Sequence, residues 1–202
     1  MKRFVCTALT LTMVGGLVIT AFAGDEKKTP PAMDPAAQQA MMQAMAPGEH
    51  HEHMKKLAGN FDYTIKMWMD PSAPPTESTG KRTAEFLLGG RYLQEKISGS
   101  FMGMPFEGIS LMAYDNLAKE YVSTWIDNMG TGIMVSHGQC DGKGTTWTMT
   151  GESIDPATGK KITMKSVTKL VDANTITMEM SSPGPDGKDM KMIELTMKRS
   201  AM

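Results

Sequence analysis

Cysteine is nearly missing from this chain. Its 202 residues hold two, Cys6 and Cys140, and Cys6 falls in an apolar N-terminal run that reads as a removable segment. One remaining thiol cannot close an intrachain disulfide, so the folded part must hold together through its core. Surplus charge is missing too: 21 Lys and Arg stand against 22 Asp and Glu. Nucleic-acid binding needs clustered cations to neutralise phosphates, and a near-neutral chain excludes that partner class. The short motifs that carry chemistry are also absent. There is no Gly-x-Ser-x-Gly elbow, no phosphate-cradling loop, no dinucleotide fingerprint and no cysteine-based haem attachment. Ser136 and His137 are neighbours on an extended segment and face opposite ways, so they form no relay. No catalytic residue is assigned, and an enzyme is the weaker class of function.

What is present begins with Lys2 and Arg3, an apolar stretch from Phe4 to Phe22, and Ala21-Phe22-Ala23 before Gly24. A basic start, apolar middle and small-x-small site predict a signal peptide over residues 1–23 and an exported protein, periplasmic or extracellular. Thr and Gly dilute the run and no basic stop follows, so no stable membrane anchor is expected after cleavage. Cys6 lies too early to carry a lipid. Residues 24–47 form a low-complexity tail of Ala, Gln, Met, Lys and Pro without an aromatic residue, which leaves little to bury. Within it, Asp34-Pro35 has the form of a helix start, and Met41, Met42 and Met45 share one side of the segment that follows. A short surface helix ending at Pro47-Gly48 is predicted, then a second from Gly48 to Leu57 stopped by Gly59.

From Gly59 the periodicity changes to two, in segments rich in Thr, Ile, Val, Tyr and Trp. The predicted strands are Phe61–Met69, Glu77–Leu88, Arg91–Gly99, Phe106–Asp115, Glu120–Asn128, Thr131–Cys140, Thr145–Glu152, Lys161–Val171, Thr175–Ser181 and Met190–Arg199. Gly89-Gly90, Asp141-Gly142-Lys143-Gly144, Asp155 to Gly159 and Pro185-Asp186-Gly187 supply the positive φ angles and Asx bonds of hairpins. Connections this short force sequence neighbours to pair. An open meander of this size would leave two edges exposed, and closure removes both. The expected fold is therefore all-β: an antiparallel up-and-down β-barrel over residues 48–202, preceded by a short helical tail. Eight to ten strands leave an interior for side chains and one small ligand.

Several segments taken together resemble a known family: Gly48-Glu49-His50, Leu57 to Phe61, Met67 to Pro71, Leu88 to Tyr92, Phe106-Glu107-Gly108, Tyr114-Asp115, Tyr121 to Asp127 and Asp155 to Lys160. They are similar to exported bacterial proteins grouped as domain of unknown function 1579, over roughly Gly48 to Arg199. The resemblance implies a lipocalin-like barrel. Such barrels open with Gly-x-Trp on the first strand and pack it under a basic residue of the last, which plugs one end. Phe61 stands at the tryptophan position here, with Lys198 and Arg199 as basic candidates. A phenylalanine ring still accepts a cation, at about 0.5 to 2 kcal/mol.

The densest cluster of chemical side chains is Glu49-His50-His51-Glu52-His53-Met54. On a helix, His50, His53 and Met54 share a face while His51 points elsewhere with Lys55. Two histidines with a Glu or Met would suit zinc or copper, but a closed site needs a fourth ligand, and a polar cap on the barrel is the more frequent use of such spacing. Methionine is abundant, 22 of 202, with Met67/Met69, Met102/Met104, Met178/Met180 and Met190/Met192 at same-face spacing. Paired thioethers can hold copper(I), yet methionine more commonly fills irregular cavities. Trp125 and Asp127 share a strand face with Tyr121 and Ser123, and Arg91 follows a Gly-Gly turn. Arg91 with Asp127 would orient a polar head beside Trp125, or simply form a rim salt bridge. His137 shares a face with Ile133 and Val135, so an inward position is expected; a lone inward histidine more often hydrogen-bonds than ligates haem.

These observations converge on an exported barrel that binds a small, largely apolar molecule in its lumen. Trp125 and Tyr114 would form apolar wall, Arg91 and Asp127 polar orientation, and His137 a hydrogen bond, with Phe61 and Arg199 as the plug. Metal binding through His50, His51 and His53 is the alternative, and a filled structural barrel is the second. No cofactor is expected. Oligomeric state has no signature in the sequence.

Overall fold

The computed structural model describes residues 33–200 apart from 71, 156–157 and 185–186. The expected signal peptide and the first part of the tail lie outside the described residues. Helix α1 spans Pro35–Met45, and Asp34 caps it by accepting from the Ala36 amide at 3.2 Å. Helix α2 spans Glu49–Lys55. The strands are β1 (Gly59–Met67), β2 (Thr76–Leu87), β3 (Tyr92–Phe101), β4 (Met104–Asp115), β5 (Glu120–Asp127), β6 (Met134–Cys140), β7 (Thr146–Ile154), β8 (Lys161–Asp172), β9 (Thr175–Pro183) and β10 (Asp189–Arg199). Among the described residues these ten form one closed antiparallel barrel in which each strand pairs with its sequence neighbours. β1 closes on β10 from Phe61↔Arg199 to Met67↔Ile193.

The turns explain why the meander closes. Met102 and Gly103 both have positive φ, 51° and 80°, the combination a two-residue hairpin needs to follow strand twist. Asp115 accepts from the Leu117 and Ala118 amides, and Asp141 accepts from the Thr145 amide and hydroxyl, at 2.7 and 2.6 Å. Each carboxylate replaces backbone partners that its turn lacks. Met102 thus sits in a turn, not on a strand face with Met104. A bulge between Lys191 and Ile193 likewise breaks the expected Met190/Met192 face, because one extra residue reverses alternation.

β6 begins at Met134, three residues later than the composition suggests. Asn128 explains the delay: its side chain accepts from the Glu107 amide at 3.0 Å and donates to the Pro105 carbonyl at 3.0 Å, tying this turn to β4 rather than to β6. Pairing of β5 with β6 therefore stops at Trp125↔Met134 and leaves Asp127 beyond the seam.

Successive hairpins alternate between the barrel's two ends. α2 leads directly into β1, so it sits at the end that also carries the β2–β3, β4–β5, β6–β7 and β8–β9 turns. α1 is tethered to two of those turns: Arg91 donates to the Met45 carbonyl, and Asn116 donates to the carbonyls of Ala44 and Ala46.

Candidate functional site

The end bearing α2 is plugged from within. Phe61 is buried between two guanidinium groups, with Arg199 4.6 Å and Arg82 5.1 Å from its ring centre. Both arginines also serve the end of α2 and the residues after it, where carbonyls lack helical partners. Arg82 donates to the Leu57 carbonyl at 2.8 Å, and Arg199 donates to Ala58 at 3.0 Å. Arg82 is itself buried and ion-paired with Glu95. Lys56 adds bonds to the Lys143 and Gly144 carbonyls of the β6–β7 turn. Around this frame Met54, Leu57, Leu93, Tyr121 and Trp147 are fully buried or nearly so.

The histidines belong to this plug. His50 stacks on Tyr114 at 3.8 Å between ring centres and meets Tyr121 edge-on. The Tyr121 hydroxyl donates to the His50 carbonyl at 3.3 Å and lies 3.2 Å from His50 Nδ1. His51 is buried and accepts from the Gly48 amide, instead of pointing outward with Lys55. His53 packs over Gly144, where φ is +64° and an added Cβ would collide with the imidazole. Burial lowers the pKa of His50 and His51, helped by His53 for the first and by His50 and Arg91 for the second. His50 meets His53 edge-on at 5.7 Å between ring centres and shares Tyr114 with His51, so the rings pack as an aromatic cluster. Among the described residues no group of three or more His, Cys, Asp or Glu is arranged to hold a metal.

Toward the other end the interior changes. One register row passes inward through Met112, Ser123, Ser136, Gly151 and Met164, and the next heights carry Met134, Ser166 and Met180. Along this row two serines and a glycine lie between two thioethers, with Met112, Ser136 and Gly151 buried. Ser123, Trp125, Met134, Met164, Ser166 and Met180 all point toward the axis by register yet are only half-buried. Inward side chains that retain accessible surface are not fully packed, so this half is filled less densely than the plugged end.

At its mouth lies an aromatic shelf. Trp125 rests against Gly108, whose missing side chain is what lets the indole lie on β4. Phe106 stacks on Trp125 at 6.4 Å and 22°, and Phe101 follows at 6.5 Å. The indole Nε1 donates to Asp127 Oδ2 at 2.7 Å, while Asp127 Oδ1 accepts from the Met129 amide at 2.9 Å. Carboxylate and indole are thereby fixed together as one rigid unit.

The residues singled out from the sequence thus separate. Trp125 and Asp127 lie together at the open mouth. Tyr114 faces inward but at the plugged end, under His50. Arg91 does not meet Asp127: it stands in the β2–β3 turn, donating to the Leu88 and Met45 carbonyls, at the opposite end of the barrel. His137 points outward and pairs with Glu120 at 2.9 Å; it shares a face of β6 with Val135, which is 42% exposed, while Ile133, 69% exposed, lies before the strand begins. Arg82 joins the site without a motif to mark it, its one sequence signal being the strand parity it shares with Ala84 and Phe86. Cys140 faces inward beside the plug, where burial and then Asp141 push its thiol up to about 11, so it stays protonated near neutrality.

A closed ten-strand antiparallel barrel with one plugged end and one less densely filled end is the class that fold and site define. The chain belongs to the DUF1579 family of proteins of unknown function, whose profile matches residues 46–199. No curated protein matches it in sequence. The crystal structure of Rv2717c from M. tuberculosis is similar in fold, with TM-score 0.55 at 11% identity over 77% of this chain and 100% of the other. A redesigned β-barrel aligns over 74% of this chain and 96% of its own at 14% identity, but its TM-score of 0.40 carries no argument.

Proposed function

We propose that this protein binds a small, largely apolar molecule in the open half of its barrel. The observation that carries the reading is the set of inward, half-buried Met and Ser side chains above a sealed floor. A cavity walled by thioethers and hydroxyls, with an aromatic shelf at its entrance, has the composition of small-molecule sites: apolar area with few fixed polar groups. Methionines adapt to irregular ligand shapes. The charge pattern and apolar run of residues 1–23 support export, which would place the ligand in the periplasm or outside the cell.

Native mass spectrometry of the mature protein, purified gently from its own compartment, tests the reading. A retained organic mass is expected, released on denaturation and lost in Ser166→Trp, which fills the lumen from its wall. Trp125→Ala should weaken the same ligand about tenfold. An apo mass under gentle conditions, with no uptake from a total lipid and metabolite extract, would overturn it.

A further inference from the structure

We infer that the molecule accepted by the lumen is an organic cation: an amine or quaternary ammonium group carried on an apolar body. The inference rests on the lumen-binding reading and adds the ligand's charge. Inward registers of the described strands carry two carboxylates, Glu95 and Asp127, and two guanidinium groups, Arg82 and Arg199. Glu95 is ion-paired with Arg82, and both arginines are committed to the plug. Among the described residues no Lys or Arg occupies an inward register in the open half, because the lysines of β8 and β10 alternate outward. Asp127 is therefore left as the fixed charge of the lumen mouth, and its two N–H partners are neutral.

The surroundings of Asp127 favour a cation for a second reason. Trp125 and Phe106 present electron-rich faces, and an indole is the best of the natural rings for attracting an ammonium group. Because the Trp125 Nε1–H already binds the carboxylate, the ring cannot turn away, so shelf and charge are presented together without reorganisation. An anionic head would meet a carboxylate with no compensating base. A neutral one would gain at most a hydrogen bond, without the charge attraction. The β5–β6 pairing ends at Trp125↔Met134, so the wall is interrupted beside Asp127, which gives a hydrated head room at the rim while its tail reaches Met164 and Met180.

The test compares three probes of equal chain length below their micelle concentrations: dodecyltrimethylammonium, dodecyl sulfate and dodecanol, each by calorimetry. The cation should bind at least about tenfold tighter than the sulfate. Asp127→Asn should erase that preference while dodecanol affinity stays within about twofold, and added salt should narrow it in the unaltered protein. Indole fluorescence of the variant checks that Trp125 has kept its place. Equal binding of all three probes, a preference for sulfate, or a cation preference that survives Asp127→Asn would overturn the charge assignment and leave the lumen reading standing. Failure of every probe to bind, or binding unaffected by Ser166→Trp, would overturn both.

Discussion

The plugged end and the open half of this barrel are built on one ladder of hydrogen bonds but from different side chains. At the plugged end, Phe61, Leu93, Tyr121, Trp147 and Met54 are all at or below 1% exposure, and nearby carbonyls of α2 and the chain after it have side-chain donors. In the open half, inward registers carry Ser, Gly and half-buried Met on one side and Ile65, Ile97 and Ile193 on the other. The difference separates two uses of a barrel interior. Burying an aromatic side chain fully contributes a few kcal/mol to stability, so a wall of serine and glycine forgoes stability that larger residues would supply. Sequences keep such sacrifices where function needs the space.

If the plug is the stabilising half, removing its buried charge partner should be the most damaging single change. Arg82→Ala leaves Glu95 without its counter-charge and the Leu57 carbonyl without its donor, and we expect a loss of about 3 to 5 kcal/mol in urea unfolding. Pairing Arg82→Met with Glu95→Leu should recover most of it, because the deficit comes from an orphaned charge, not from lost volume. An Arg82→Ala protein as stable as the parent would mean that the plug does not carry the fold.

A smaller effect is expected from Gly144→Ala. The residue has φ of +64°, and its missing Cβ is where the His53 ring lies. Backbone strain and displacement of the imidazole together should cost about 1 to 3 kcal/mol. The same substitution at Gly103, in an open-end turn with φ of +80° and nothing within 4 Å of an added Cβ, carries the backbone part alone. The difference between the two variants in melting experiments isolates how much His53 contributes to the seal.

The sequence foretells the barrel well and its interior poorly, for a physical reason. Strand period, turn chemistry and the Phe61–Arg199 pairing are local or read from chain order. The inward face of β6 is not, because the usual rule places apolar residues inside. There Val135 and His137 face outward while Ser136 and Gly138, with Met134, face the axis. Small inward residues there weaken the alternation that a fully apolar interior would impose. The distance between Arg91 and Asp127 was legible in principle, since consecutive hairpins alternate ends and an odd number of strands separates the β2–β3 turn from the β5–β6 turn. Arg82 was legible by parity, as a charge among inward Ala84 and Phe86. That it pairs with Glu95 needed the register of β2 against β3, which turn length alone does not set.

The smallest expected effect concerns acid, and it should fall on one end only. His50 and His51 titrate below their ordinary value of 6.5 in the folded protein, chiefly through burial. The groups around them are Glu49 and Glu52 on the same helix, which pull the other way, His53, which lowers His50, His50 and Arg91, which lower His51, and the rings of Tyr114 and Tyr121. The unfolded chain binds more protons than the folded one once pH drops below 6.5, so their contribution is complete above that value and is lost as pH falls through the folded values. The depressed carboxylates, Asp115 and Asp172 among them, respond only in a more acidic range, which leaves pH 7 to 5 to the histidines. Melting temperature should decline modestly across that window, and a double variant, His50→Gln with His51→Gln, should flatten the decline. Hydrogen exchange should quicken at the amides of α2 and the start of β1 while those of the β3–β4 hairpin hold steady. Uniform quickening around the whole barrel would mean that the two ends unfold as one unit, and that the plug is not a separable part of the structure.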